Sequence, residues 1–395
     1  MKKVNTSDFQ KYQAQTTPDP LMINVAEAKG SYITDKNGKR YLDFVAGVSA
    51  CSVGHCNDEV IEAIREQSRL YMHVMVYGEF ITDPSLNLAK LLSENLPGNL
   101  NCTYFTNSGT EALEGAMKLA RRFTGRQKII AAKNAYHGST MGALTLMGLE
   151  EKKKPFEPLI PEVEFIIYNS IEDIDKIDNK TSCVIVEAIQ GSAGFILPKK
   201  DYLKKLKIKC KEVGALLILD EIQTGIGRTG KLFGFENFDC IPDVIVYGKG
   251  LGGGIPIGAF TSSKKIMDSL HKNPILGHIT TFGGNPVITA AALQTLKIVL
   301  GSKLMTNTLK YEKFIRSKLK HDLIKEIRGL GLMLCLIMKN SEIADKLVLR
   351  AKEKGLILFW LLIEKRAVRI TPPLTISRKE LTKGCNIILN LLDTI

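Results

Sequence analysis

Two short apolar runs constrain the fold of this chain more than any other feature. Residues 215–219 are Ala-Leu-Leu-Ile-Leu and residues 244–247 are Val-Ile-Val-Tyr, and both have the length and branched composition of fully buried strands. The first run is followed by Asp220, and shortly after the second comes Lys249, which stands between two glycines. Because strand ends of this kind meet in one crevice of an open α/β sheet, the carboxylate and the amine can converge on a single ligand.

A lysine between glycines at the end of a buried strand is an unusual place for a surface charge. Desolvation lowers the pKa of such a lysine and leaves free amine that can form a Schiff base. Asp220 can stay ionised there if it faces a protonated ring nitrogen. These two features are the protein side of pyridoxal 5′-phosphate chemistry. A structural ion pair between Lys249 and Asp220 is the alternative that the two residues leave open.

The residues around both runs resemble the signature of a known enzyme family. Residues 217–230 are L-I-L-D-E-I-Q-T-G-I-G-R-T-G, and residues 242–258 are P-D-V-I-V-Y-G-K-G-L-G-G-G-I-P-I-G. Both closely resemble the signature of the class III (ornithine and ω-amino acid) aminotransferases, and the resemblance extends, with gaps, from about Tyr32 to the C-terminus. It implies a pyridoxal-phosphate-dependent transferase of fold type I, with a mostly parallel α/β sheet in a large domain and a smaller α+β domain.

The resemblance implies roles for residues of the central stretch. Lys249 is then the catalytic Schiff-base lysine, Asp220 is catalytic through its contact with the pyridine nitrogen, and Gln223 approaches the ring hydroxyl. Glu187 ends another predicted strand, where its carboxylate either faces the same crevice or is solvated. We count Glu187 among the expected cofactor-binding residues.

A polar turn at Ser108, Gly109 and Thr110 lies between a predicted strand and an amphipathic helix. Backbone N–H groups at a helix start favour a phosphate, although many strand–helix crossovers contain such a turn. The string N-S-G-T-E-A resembles the phosphate-binding turn of the family, which implies that these three residues are cofactor ligands.

Tyr136 and His137 precede a glycine after the next predicted strand. By themselves they are more readily interpreted as residues that cap a helix, although an aromatic ring here can also lie over a flat heterocycle. The resemblance implies that Tyr136 stacks on the cofactor ring and that His137 supports it.

Two further positions concern the substrate and the partner subunit. Arg369 lies on a predicted strand, where its planar guanidinium suits a carboxylate, with an ion pair at the sheet edge as the alternative. The resemblance makes Arg369 the clamp for the α-carboxylate of an amino-acid substrate. It also implies that the loop before the helix at 287–300 crosses to a second subunit, where Thr281 contacts the other cofactor's phosphate. A homodimer with shared active sites is therefore expected.

The chain departs from the family at two substrate-binding positions. Acetylornithine, ornithine and 4-aminobutyrate aminotransferases usually carry an arginine where this chain has Ser139, which leaves a second carboxylate contact missing or supplied from elsewhere. They also carry a glutamate, where this chain has Ser192, that pairs with the arginine clamp. Its loss would leave Arg369 free.

These departures leave the substrate open. The favoured prediction is a ping-pong transaminase that moves the terminal amino group of N-acetylornithine, a step of arginine biosynthesis, to 2-oxoglutarate through a Schiff base on Lys249. The small-molecule donor is alternatively 4-aminobutyrate, ornithine, a lysine-type amine or a diamine. An aminomutase or epimerase on the same fold would need no keto acid.

The order of predicted elements suggests three segments. Residues 1–55 form an N-terminal arm and a hairpin that joins the small domain, residues 56–300 form the large cofactor-binding domain, and residues 301–395 form the small α+β domain. Strands alternate with helices through the middle segment, which is typical of a parallel sheet covered on both faces.

Net charge, cysteine spacing and hydropathy limit the binding partners and the cellular compartment that the sequence predicts. The net charge is +13, but the lysines are spread over predicted helices without a basic arm, which favours solvated helix faces and attraction of anionic substrates over nucleic-acid binding. The eight cysteines show no metal-binding spacing and are predicted to be reduced core residues. Apolar stretches too short for a bilayer and a polar N-terminus predict a cytoplasmic protein that binds no membrane.

Overall fold

The computed structural model of the protein describes residues 6–395, which form three sheets and the helices around them. The strands are β1 (Val25–Lys29), β2 (Tyr32–Asp35), β3 (Arg40–Asp43), β4 (Cys102–Thr106), β5 (Lys128–Ala132), β6 (Val163–Ile166), β7 (Thr181–Glu187), β8 (Leu216–Asp220), β9 (Val244–Gly248), β10 (Gly258–Ser262), β11 (Ile324–Leu330), β12 (Met333–Met338), β13 (Leu356–Ile357), β14 (Phe359–Trp360) and β15 (Ala367–Ile370). The α-helices are α1 (Thr6–Tyr12), α2 (Ala46–Ser49), α3 (Asp58–Leu70), α4 (Asp83–Glu94), α5 (Gly109–Thr124), α6 (Met141–Thr145), α7 (Glu150–Lys153), α8 (Tyr202–Val213), α9 (Lys264–Met267), α10 (Pro286–Gly301), α11 (Leu304–Lys318), α12 (Ser341–Glu353) and α13 (Arg378–Leu392).

The central sheet has seven strands in the order β4-β10-β9-β8-β7-β5-β6. The pairs β9–β8, β8–β7, β7–β5 and β5–β6 are parallel, and β10 runs antiparallel to both of its neighbours. The prediction of a mostly parallel α/β sheet is confirmed, whereas the antiparallel strand β10 was not predicted.

Alternate residues of the inner strands point to two separate cores. Along β8, Leu217 and Leu219 pack in one apolar cluster, and Leu216 and Ile218 pack in another on the opposite face. Helices α8 and α10 contribute to the first cluster and α5 to the second. Each fully buried leucine or isoleucine stabilises such a core by about 1.5–3 kcal/mol, so burial on both faces fixes the register of the strands that carry the site.

The N-terminal hairpin packs with C-terminal elements. Strands β2 and β3 pair antiparallel, as predicted, and β3 also pairs in parallel with β13, where Leu42 lies opposite Leu356. Leu42 and Phe44 share an apolar core with residues of α12 and α13. The remaining sheet has the order β11-β12-β15-β14. The domain boundaries after residues 55 and 300 stay a prediction.

Some local features differ from what the sequence pattern favours. Ser170 is a capping residue that favours a helix after it, but the segment forms only a 3-10 turn at Glu172–Lys176. The apolar run Ile-Leu-Phe-Trp at residues 357–360 favours one strand, but it is divided into β13 and β14, since its two halves bond to different partners, β3 and β15. Strands β1 and β11 were not predicted.

The structure of residues 6–395 shows the environment of the cysteines, the arrangement of possible metal ligands and the length of the apolar helices. All eight cysteines are free, but only five are buried; Cys56 is exposed, which corrects its prediction as a core residue. In this range no group of three or more His, Cys, Asp or Glu residues is arranged for a metal ion. No single helix described is long and apolar enough to cross a membrane, and α10 with α11 meets that test only as a pair bent by 67°.

Candidate active site

Most of the predicted site residues surround one cavity of about 270 Å³. Glu187 and Asp220 are the last residues of β7 and β8, and Lys249 directly follows β9, so the cavity lies at the carboxyl ends of these strands. Its lining consists of Gly109, Thr110, Tyr136, His137, Gly138, Ser139, Glu187, Ile189, Ser192, Asp220, Ile222, Gln223, Thr224 and Lys249. A larger cavity of about 460 Å³ beside Lys153 and Phe165 contains none of these residues.

Asp220 is held at the base of the cavity by two donors. Its Oδ2 lies 2.7 Å from Nδ1 of His137, and its Oδ1 accepts a 2.9 Å hydrogen bond from the backbone N–H of Ile222. Burial lowers the pKa of His137, but the hydrogen bond to Asp220 and the charges of Asp220 and Glu187 outweigh burial and raise it. The pair therefore fixes a carboxylate in a nearly dry position, which suits a cationic ring nitrogen.

Glu187 is a buried carboxyl whose two oxygens differ. Oε1 accepts a 2.8 Å hydrogen bond from the N–H of Gly191, whereas Oε2 is buried without a partner among the described residues. Burial raises the pKa of Glu187 to about 7, with the charge of His137 opposing this shift. His137 Nε2 is likewise unpartnered. A polar ligand in the cavity would supply hydrogen-bond partners for these two buried atoms.

Lys249 enters the cavity from a strained backbone. Its φ is +39°, a left-handed conformation that is costly for a residue with a side chain and is concentrated at functional sites. Burial lowers the pKa of Lys249; the charges of Asp220 and Glu187 oppose this shift, and Arg369 reinforces it. Among the ion pairs of residues 6–395 there is none between Lys249 and Asp220, so the structural pair considered as an alternative does not form.

Glycines at the start of α5 and in the loop after β5 allow close packing beside the cavity. A Cβ at Gly109 would lie 2.7 Å from Ile222, and a Cβ at Gly138 would lie 2.2 Å from Oγ1 of Thr110. Gly109 and Thr110 line the cavity at the start of this helix, where free N–H groups favour an anion. Ser108 does not line it, because its side chain caps α5 by accepting from the N–H of Glu111.

The residues expected to contact the substrate or the partner's cofactor do not all line the cavity. Arg369 is not among the lining residues, but it is only 6% exposed on β15, and its Nε and Nη1 have no hydrogen-bond partner in the described part of the chain. Burial lowers the pKa of Arg369 to about 10. Ser139 and Ser192 both line the cavity, and Ser139 Oγ lies 3.3 Å from the hydroxyl of Tyr136. Thr281 is exposed and lies outside the cavity of its own chain.

Sequence reasoning missed some of the lining. Ile222 and Thr224 belong to the quoted signature, but both lie in the turn after β8, where no strand period indicates which residues face the cavity. Ser49 lies in a glycine- and serine-containing loop, residues 47–55, in which the sequence singles out no residue, yet its Oγ accepts a 3.4 Å hydrogen bond from Gln223. That contact joins residues far apart in sequence, which no local pattern indicates.

Comparisons with known proteins agree on one family. The family model described as aminotransferase class-III matches residues 12–392. The acetylornithine aminotransferase of Caldanaerobacter subterraneus is 37% identical over 98% of this chain and 99% of its own length. The putrescine aminotransferase of Pectobacterium atrosepticum is 37% identical over 88% of this chain and 77% of its own. The crystal structure of the ornithine aminotransferase from Toxoplasma gondii ME49 superposes with a TM-score of 0.91 at 30% identity, covering 99% of this chain and 96% of that one.

Proposed function

Because the chain belongs to the class III aminotransferases, which depend on pyridoxal 5′-phosphate, we propose that it transfers the terminal amino group of N-acetylornithine to 2-oxoglutarate. The observation that carries the choice of a carboxylate-bearing donor is the buried guanidinium of Arg369, two of whose nitrogens have no hydrogen-bond partner among residues 6–395 and whose charge lowers the pKa of Lys249. Among such donors, N-acetylornithine is proposed on the similarity to acetylornithine aminotransferases. A buried cation without a counter-ion calls for an anion. The α-carboxylate of N-acetylornithine, at the far end from its terminal amine, provides one.

The cavity fits the cofactor. Gly109 and Thr110 would hold the phosphate, Asp220 would face the ring nitrogen, and Tyr136 and Ile222 would cover the ring. When bound, pyridoxal phosphate supplies an electron sink for the carbon next to the transferred nitrogen. The partner of the unsatisfied Oε2 of Glu187 would then be a polar group of the ligands.

The residues of the chain have separate tasks in this proposal. Lys249, kept partly as free amine by burial, takes the proton from the substrate carbon that bears the amine and later returns one. Asp220 would face the ring nitrogen and keep it protonated, with His137 orienting the carboxylate. The reaction is proposed to be ping-pong: the donor leaves as an aldehyde before 2-oxoglutarate enters the same cavity.

A diamine is the second candidate donor. One relative is a putrescine aminotransferase at 37% identity, so the family match extends to enzymes named for such substrates. This chain has Ser192 where related aminotransferases usually carry the glutamate that pairs with the arginine clamp. A diamine would therefore leave the guanidinium of Arg369 unpaired. This cost favours a carboxylate-bearing donor.

A donor panel tests the proposal. With 2-oxoglutarate as acceptor we expect the highest kcat/KM for N-acetylornithine, ahead of ornithine, 4-aminobutyrate and putrescine. Arg369→Gln should lower kcat/KM for N-acetylornithine about ten- to a hundredfold, since a hydrogen bond to a charged group contributes about 1.5–3 kcal/mol, and should change kcat/KM for putrescine little.

The matched control for this panel is Arg366→Gln. Arg366 lies three positions away on the partly exposed side and is paired with Glu364 at 2.8 Å, so its loss should leave the donor ranking unchanged. The proposal would be contradicted by putrescine as the preferred donor with Arg369→Gln neutral. Product formed without 2-oxoglutarate or pyruvate would instead identify an aminomutase or epimerase.

We further propose a homodimer with shared sites. Apolar side chains close to Thr281 are unusually exposed: Ile279 by 55%, Phe282 by 54% and Met72 by 68%. Phe282 also contacts His73, with ring centroids 4.8 Å apart, which joins the two segments into one surface. Exposed apolar surface of this kind is typical of a protein–protein interface.

Sedimentation velocity with cofactor absorbance tests this assembly. We expect a dimer that carries cofactor, and we expect Phe282→Asp to shift the population to monomer and weaken cofactor retention together. Ile241→Asp, at an apolar residue 45% exposed elsewhere, is the control and should leave both unchanged. A monomer that retains the cofactor at high dilution would overturn the shared site.

A further inference from the structure

A carboxylate beside the cofactor cavity has no role in the proposed reaction. Glu114 lies on α5, four residues after Thr110, so both side chains are on the same face of the helix. Its Oε1 accepts hydrogen bonds from the hydroxyl of Thr140 at 2.6 Å and from the backbone N–H groups of Gly142 at 2.8 Å and Ala143 at 3.2 Å. These three donors belong to the segment that leads from the wall of the cavity into α6. One oxygen therefore ties this segment to α5.

The contact of Glu114 with α6 depends on a glycine. A Cβ at Gly142 would lie 2.1 Å from Oε2 of Glu114 and 2.6 Å from its carboxyl carbon. Thr140 is the N-cap residue of α6, but the acceptor for the N–H groups of Gly142 and Ala143 is Glu114 of another helix. Since the first N–H groups of a helix have no partner within it, this carboxylate satisfies donors that α6 cannot satisfy alone.

The hydroxyl hydrogens of Thr140 and Thr110 have a defined direction. The two hydroxyl oxygens are 2.7 Å apart, so one of them donates to the other. Thr140 has a single hydroxyl hydrogen, which goes to Glu114 because an ionised carboxylate can only accept. Thr110 is therefore the donor to Thr140, and its oxygen also accepts from the backbone N–H of Thr140 at 3.4 Å. The hydroxyl of Thr110 is thus directed along this chain of hydrogen bonds.

The loop that ends at Thr140 forms one wall of the cavity. Residues 136–139 all line the cavity, and Thr140 follows them directly. The 2.7 Å contact of His137 with Asp220 holds the loop from one side, and the bond of Thr140 to Glu114 holds it from the other. Removal of Glu114 would weaken the second anchor and let this wall move relative to α5.

We propose that Glu114 is a positioning residue for the cofactor that acts through Thr140 and Thr110. It fixes residues 136–140 against the start of α5, and so sets the distance between the phosphate turn and the wall that would cover the ring. The phosphate would be held by backbone N–H groups at the start of α5, since the hydroxyl of Thr110 is directed to Thr140. This role rests on the proposed placement of the cofactor and does not depend on which donor is used.

Equilibrium dialysis of the cofactor-loaded enzyme tests this role, with bound pyridoxal 5′-phosphate read by absorbance. Glu114→Ala is expected to weaken cofactor binding about tenfold, a loss typical of one hydrogen bond to a charged group. The circular dichroism of the bound cofactor should also decrease, because the wall beside its ring is less fixed. Displacement of the cofactor by inorganic phosphate should give an unchanged phosphate affinity, because phosphate needs only the start of α5.

The control for this experiment is Glu151→Ala, at an exposed carboxylate of α7, which should change none of these quantities. Glu114→Gln should bind the cofactor within about threefold of the wild type, because its amide oxygen can accept from the same donors. Cofactor binding in folded Glu114→Ala that equals the wild type overturns the proposal. An equal loss of affinity for cofactor and phosphate also overturns it, because a general structural defect would weaken both.

Thr140→Val tests the connection to Thr110 and does not rely on the folding of Glu114→Ala. The variant keeps the shape of the side chain but removes the hydroxyl, so it should weaken cofactor binding by itself. Added to Glu114→Ala it should weaken binding no further, because both changes break the same chain of hydrogen bonds. Wild-type affinity in Thr140→Val, or an additive loss in the double variant, overturns the route through Thr140. A different preferred donor would contradict the proposed function and leave these results unchanged.

Discussion

Replacing Lys249 with alanine is expected to abolish transamination and the covalent attachment of the cofactor together. The amine is the only lysine nitrogen among the residues that line the cavity, and burial lowers its pKa so that it can act as a nucleophile and a base. Loss of a proton-transfer group of this kind costs up to about 10⁴-fold in kcat, and loss of the covalent link removes more. Borohydride reduction followed by mass spectrometry should find the cofactor on the Lys249 peptide of the wild type and on no peptide of the variant.

Lys231→Ala is the control for this experiment. Lys231 is exposed, so its loss should change neither turnover nor the labelled peptide. If Lys249→Ala kept the absorbance of bound cofactor in covalent form and full turnover, the central assignment would fail. Cofactor bound without covalent attachment would instead be expected, since the phosphate turn and Asp220 remain.

The parts of the fold that could be predicted are those determined by local pattern. Buried strands with branched residues on both faces, such as Leu216–Asp220, are typical of a covered parallel sheet, and the polar residue that ends such a strand is then expected at the crevice. The residues Asp220, Lys249 and Glu187 therefore come together as expected. The family resemblance added the phosphate turn and the ring contacts, which are too common as local patterns to indicate a ligand alone.

The parts that could not be predicted depend on contacts between distant segments. The five residues of β10 are small and mixed, and their antiparallel direction is set by pairing with β4 and β9 on either side. The division of β13 from β14 likewise follows from two different partners. The unpaired state of Arg369 and the hydrogen bond from Gln223 to Ser49 result from the packing of side chains, which periodicity does not report.

Asp220→Asn is expected to lower kcat by about 10²–10³-fold while the enzyme stays folded, because an electrostatic partner aimed at the reacting system is removed in a dry site. The amide can still contact His137 and Ile222 but carries no charge, so it cannot hold the ring nitrogen protonated. The charge of Asp220, which helps to raise the pKa of His137, also disappears, and of the two charges that oppose burial only that of Glu187 remains. Single-turnover kinetics with N-acetylornithine measure the loss.

Glu221→Gln is the matched control, because the neighbouring carboxyl is equally buried but serves a different purpose. Its oxygens accept hydrogen bonds from Thr224 and from the backbone N–H of Gly234 at 2.8 Å and Phe235 at 2.6 Å, and it does not line the cavity. We therefore expect this variant to lower Tm with kcat of the folded enzyme nearly kept. Retention of kcat within about tenfold in Asp220→Asn would mean that the ring nitrogen does not depend on this charge. The two adjacent carboxylates thus separate an electrostatic contribution to catalysis from a structural contribution to stability.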